Sequence, residues 1–126
     1  MTHKALIYAR TAPGRAPADW LTLDAQVAAL RAYAHEHELE LVGHYLAENE
    51  VASDELRVRP SGAGLMAALS QAEDEEPWTV HLPAVSSGRL WRTLAEGLAF
   101  LTDMIALKVG VHLMHEGIEI NRGPSA

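Results

Sequence analysis

The residues best suited to chemistry in this chain are arginines, and the first of them stands beside a residue that can do none. Arg10 closes the apolar run KALIYAR (4–10). Side chains alternate along a strand, so the residue sharing its face two positions on is Ala12, whose methyl cannot attack anything. Thr11 carries the nearest hydroxyl, but it should point to the opposite face unless the turn TAPG re-aims it. Arg89 and Arg92 are three apart at what reads as a helix start, a spacing that puts both guanidinium groups on one side. The positive end of a helix dipole adds to their charge, which suits such a pair to a phosphate or sulfate.

The histidines and tryptophans promise less. In HEH (35–37) an i, i+2 spacing turns the rings apart, which favours a role at a helix carboxyl end over a shared metal ion. In HLMH (112–115) the odd step along a strand sends His112 and His115 to opposite faces, and no site is expected there. Trp20, Trp78 and Trp91 read as packing residues, although Trp91, between two arginines, is also placed for base stacking.

The elements that must position these residues alternate in type. A buried strand is expected over 4–10 and a loop over 11–20, which holds two prolines and a glycine. A helix follows over 22–38, with Leu23, Val27, Leu30 and Ala34 on one face, Thr22 as N-cap and Asp24 in the first turn. A strand over 39–46, a polar loop over 47–62 and a short helix over 63–73 come next. Strands over 78–85 and 109–115 flank a long helix over 89–108, with Ser86 and Ser87 as candidate caps. Leu90, Leu94, Leu98, Leu101 and Ile105 form its main apolar stripe, which leaves Phe100 and Met104 exposed beside it. The polar end from 116 is expected to fray. Strand, helix, strand repeated three times signals an α/β domain with a mostly parallel sheet, and ligands meet such sheets at the strands' carboxyl ends. Arg10 stands at one of those ends.

At 126 residues, 48% hydrophobic and 21% charged, the chain fits one soluble domain. A net charge of −7 argues against unassisted nucleic-acid binding, though a local basic cluster can still hold one phosphate. Without cysteine there is neither disulfide nor thiolate metal site, and no cofactor is implied. No stretch approaches the ~18 apolar residues of a membrane span, and MTHKALIYAR lacks the layout of a signal peptide, so a cytoplasmic location is expected.

Read in order, four short motifs carry a resemblance: YAR at the end of the first strand, LTLDAQVAALRAYA with Gln26 near its start, VRP in the later loop, and GRLWR after the third strand. This order resembles the catalytic domain of the serine recombinases (resolvases, invertases and large serine integrases) over about residues 4–120. The resemblance implies a resolvase-like three-layer α/β domain spanning 1–126, with a four- or five-stranded, mostly parallel sheet flanked by helices. It implies that Arg10, Arg59, Arg89 and Arg92 grip a phosphate, with Gln26 beside them. The helix and DNA-binding domain that follow in the family are expected to be absent, since the chain stops soon after Ile120.

The departures from the family pattern bear on activity. The nucleophilic serine is replaced by Ala12, one motif aspartate by Gly88 and another by Val58. The family's serine forms a covalent phosphoserine link to DNA, and a methyl cannot. A catalytically silent domain is therefore expected, acting in interaction or regulation as a homodimer or beside an active recombinase. Two rivals are a divergent recombinase or phosphoryl-transfer enzyme using Thr11, and a module that binds a phosphorylated ligand. Two guanidinium groups about 8 Å apart repel by roughly 2 kcal/mol at an effective dielectric near 20. A converging set therefore needs an anion, or carboxylates such as Glu48, Glu50 and Asp54, between its members.

Overall fold

In the computed structural model, residues 2–11, 22–47 and 60–121 are described. Ala12, Trp20, Glu48, Glu50, Asp54, Val58 and Arg59 lie outside them, so the expected place of Arg59 beside the other arginines is left with the sequence. The chain runs β1 (Lys4–Arg10), α1 (Leu23–Glu36), β2 (Glu40–Ala47), α2 (Pro60–Ser70), β3 (Val80–Ala84), α3 (Leu94–Leu107), β4 (Val109–Leu113) and β5 (Ile118–Ile120). Short 3₁₀ turns follow α2 (Gln71–Asp74) and β3 (Ser87–Arg89). The strands form one sheet in the order β2-β1-β3-β4-β5, parallel except for β5.

Alternation along the strands divides the core between three layers. Leu6 and Tyr8 of β1, Val80, Leu82 and Ala84 of β3, and Val109, Val111 and Leu113 of β4 pack against Leu65 and Leu69 of α2 and Phe100 and Met104 of α3. Ala5 and Ile7 face the other way, onto Ala34 and Leu30 of α1. Two helices thus cover one face and a single helix the other. The expected three-layer, mostly parallel α/β fold is the observed one.

Four local expectations are corrected. The long helix starts at Leu94 instead of 89, because Thr93 caps it: its Oγ1 accepts from Glu96 N at 3.2 Å and donates to the Glu96 carboxylate at the same distance. Ser86 and Ser87 belong to the preceding 3₁₀ turn and cap nothing in α3. The buried face of α3 is Gly97, Phe100 and Met104, while Leu94 and Leu98 of the leucine stripe are 77% and 58% exposed. Trp91 accounts for that rotation. Its indole lies on the helix at Gly97, where a Cβ would come within 2.5 Å of Nε1, and its ring sits 5.8 Å from that of Phe100. Finally, Ile118–Ile120 does not fray but pairs antiparallel with β4.

Candidate functional site

The sheet reverses its winding between β1 and β3, since β2 lies to one side of β1 and β3 to the other. Such a switch point opens a crevice at the carboxyl ends of the two strands. Here the sequence widens it. β1 and β3 pair only through Lys4↔Val80 and Ala5↔His81. Lys4 N donates to Thr79 O at 2.7 Å, and Ala84 O accepts from Met114 N of the β4 end at 3.0 Å. That phase turns the amides of odd-numbered β3 residues toward β1, and Pro83, next in line, has no N–H to give. The ladder stops, and the last residue of β1 loses its neighbour.

That residue is Arg10, and Gln26 takes the neighbour's place. Thr11 N donates to Ala47 O of β2 at 2.9 Å, so the main-chain groups of Arg10 face the β3 side. The fully buried Gln26 amide meets both: its Oε1 accepts from Arg10 N at 3.2 Å and its Nε2 donates to Arg10 O at 2.9 Å. One side chain satisfies a donor and an acceptor that burial would otherwise make costly. Position comes from α1, whose Thr22 cap accepts from Ala25 N at 3.1 Å, as expected.

A reciprocal brace spans the crevice. Arg10 Nη2 donates to Gly88 O at 3.0 Å, and Arg89 Nη1 donates back to Arg10 O at 3.0 Å. Both arginines are buried, at 7% and 8% exposure. Arg10, Gln26 and Arg89, all expected at the site, are therefore brought together. Arg92 is not joined to them: its Nε is 2.8 Å from the Glu96 carboxylate, and its side chain is half exposed. Because the helix begins after Arg92, the i, i+3 geometry that would put it beside Arg89 never forms.

Sequence reasoning missed Glu116 here. It reaches back from the β4–β5 turn to accept from Ser87 Oγ, and from Ser87 N at 3.1 Å. Burial opposes ionisation of Glu116, but these hydrogen bonds outweigh it and hold the carboxyl below its ordinary range. A partner 29 residues away leaves no spacing to read.

Sequence reasoning also set aside His112, which proves to be part of a buried chain of rings. His3 Nδ1 lies 2.8 Å from His81 Nε2, His81 Nδ1 lies 2.8 Å from His112 Nε2, and His112 Nδ1 lies 2.7 Å from Tyr33 Oη. Burial, then the neighbouring rings, push His81 down to about 4; burial, then His37, do the same to His112. Burial, then Glu119, raise Tyr33. The available signal was VHL in two neighbouring strands, a polar ring inside each apolar run. Among the described residues no three His, Cys, Asp or Glu side chains gather as a metal site.

A three-layer sheet with two arginines at its switch point defines the class: a resolvase-type α/β domain. The sequence model described as "Resolvase, N terminal domain" matches residues 5–125, and the chain belongs to that family. The fold is similar to the N-terminal catalytic domain of TP901-1 integrase (20% identity, TM-score 0.71, 92% of this chain and 80% of that one). It is similar also to a resolvase family site-specific recombinase from Streptococcus pneumoniae (19%, 0.72, 94% and 76%). The catalytic domain of ISC1926 TnpA, an IS607-like serine recombinase, is a third (22%, 0.59, 88% and 70%). No curated protein matches the chain. No helix among the described residues is long and apolar enough to cross a membrane.

Proposed function

We propose that this domain is a degenerate serine recombinase fold that does not cleave DNA and acts as an interaction or regulatory module in the cytoplasm. The observation that carries this reading is the contrast at one spot: Arg10, Gln26 and Arg89 are built into a braced crevice, while position 12 offers only a methyl. Family chemistry needs an attacking oxygen there. The arginines that remain serve as an anion pocket for a phosphate group, a role that the family resemblance extends to Arg59. With a net charge of −7, the chain binds free DNA weakly at most, and its partner is another recombinase-type protein or a second copy. For a second copy the relevant surface is α3, where Leu94, Leu98, Leu101 and Ile105 follow a 4-3-4 spacing with the first two open to solvent.

Thermal melts with inorganic sulfate or phosphate test the pocket: a rise in Tm is expected, and Arg10→Ala should remove it. Incubation with duplex DNA followed by denaturing electrophoresis tests the chemistry. No covalent adduct is expected. An adduct that disappears in Thr11→Ala would establish the rival enzyme. Sedimentation at high concentration tests self-association, which Leu98→Lys should abolish.

A further inference from the structure

The single-helix face of the sheet holds a second buried polar system that the recombinase reading does not use. His81 of β3 and His112 of β4 are each only 2% exposed, yet both ring nitrogens of each are engaged. The site is shaped for them. Gly110, the register partner of His81, has no Cβ; one there would stand 2.7 Å from His81 Nδ1. The same Cβ would lie 2.8 Å from Asn121 Oδ1, a buried acceptor with no hydrogen-bond partner among the described residues.

Proton counting constrains the chain. Each contact between two ring nitrogens needs one proton, and a neutral imidazole has one N–H and one lone pair. The neutral chain is satisfied only if every ring donates in the same direction. Tyr33 O–H can donate to His112, His112 to His81 and His81 to His3, or the whole series can reverse. One added proton is tolerated, because a cationic His81 donates from both nitrogens to neutral neighbours. A second proton on His112 is not, because two N–H groups would then face each other across 2.8 Å.

We propose that His3, His81, His112 and Tyr33 form an acid-sensitive latch that clamps α1 and the segment leading into β1 onto β3 and β4. It opens when the His81–His112 pair takes its second proton. The groups facing the pair are His3 ahead of β1, Tyr33 and His37 from α1, and Glu119 from β5, whose carboxylate lies 3.5 Å from His112 Nδ1. His37 stacks on Tyr33 at 3.9 Å between ring centroids, so charge on His37 also opposes protonation of His112. Asn121 Oδ1 supplies an acceptor for the cationic His81 N–H once the pair parts. Because α1 also carries Gln26, opening loosens the anchor of Arg10.

Nitrogen-15 NMR of the imidazoles in the intact chain, with amide exchange corrected for intrinsic rate, tests the latch. As the pH falls from 6.5 to about 4, protection over residues 30–36 of α1 should fall about tenfold more than over α3, tracking titration of His81 and His112. The glutamine of His112→Gln keeps a donor and an acceptor but cannot titrate, and it should show no such difference. Tyr33→Phe keeps the packing but strips the His112 lone pair of its donor, and should move the opening to higher pH. Parallel loss in α1 and α3, ordinary titration of both rings, or an unmoved midpoint in Tyr33→Phe would each overturn the proposal. If His112→Gln fails to fold, the wild-type titration and Tyr33→Phe decide it.

Discussion

The arginine brace and the histidine chain are both buried polar systems on one sheet, yet they solve the burial problem in opposite ways. The brace sends permanently charged groups to main-chain carbonyls, with Arg10 on Gly88 and Arg89 on Arg10. Its bonds do not depend on pH, because guanidinium does not titrate in the working range. The histidine chain satisfies rings with other rings, and His81 and His112 can each gain a proton. The brace bridges strands whose ladder has ended, so it holds a gap open at a defined width. The chain crosses β3 and β4, which pair along their whole length, and it ties a helix down.

The largest expected effect that separates the two is acid sensitivity. His81 and His112 fall from 6.5 in the unfolded chain to about 4 when folded, so the unfolded state binds more protons between those values. Stability from this source is fully present above pH 6.5 and is lost as the pH falls toward 4, by roughly 3 kcal/mol for each ring that titrates independently. Urea denaturation across that window should show the slope, and His81→Gln combined with His112→Gln should flatten it. Gln26→Leu should cost about 1–3 kcal/mol, because it removes the acceptor of the Arg10 N–H while the Arg10 carbonyl keeps Arg89 Nη1, and that loss should be the same at pH 7 and pH 5.

Gly110→Ala should cost about 1–3 kcal/mol by forcing His81 aside, and it should weaken the acid dependence. At the brace, Gly88→Ala is the smallest change: the nearest atom to its Cβ would be Ser86 Oγ at 3.9 Å, so thermal melts should shift by less than about 0.5 kcal/mol. A large loss there would mean that the turn is packed far more tightly than its exposed position indicates.

Much of the frame was legible locally. The apolar run ending at Arg10, the Thr22 cap and the Leu30 and Ala34 face of α1 all occur where pattern puts them, because each depends on neighbours within a turn or a strand. The reading failed where a distant group competed. The leucine stripe of α3 has the better periodicity, but the Trp91 indole lies on the helix at Gly97, and it is the Phe100 and Met104 side that joins the core. Likewise, Arg92 was grouped with Arg89 on an assumed helix start that the Thr93–Glu96 cap overrules.

By itself the sequence determined the alternation of strands and helices, the family pattern, and the absence of a hydroxyl at position 12, because all three are written in residue type and short spacing. Only the tertiary structure decided which polar residues meet. Gln26 reaches Arg10 because Pro83 ends a ladder in another strand, and His3, His81 and His112 form one chain across 109 residues because β1, β3 and β4 lie side by side. Contacts of that kind are set by which strands adjoin, and strand order in a parallel sheet is a property of the whole fold, with no trace in local spacing.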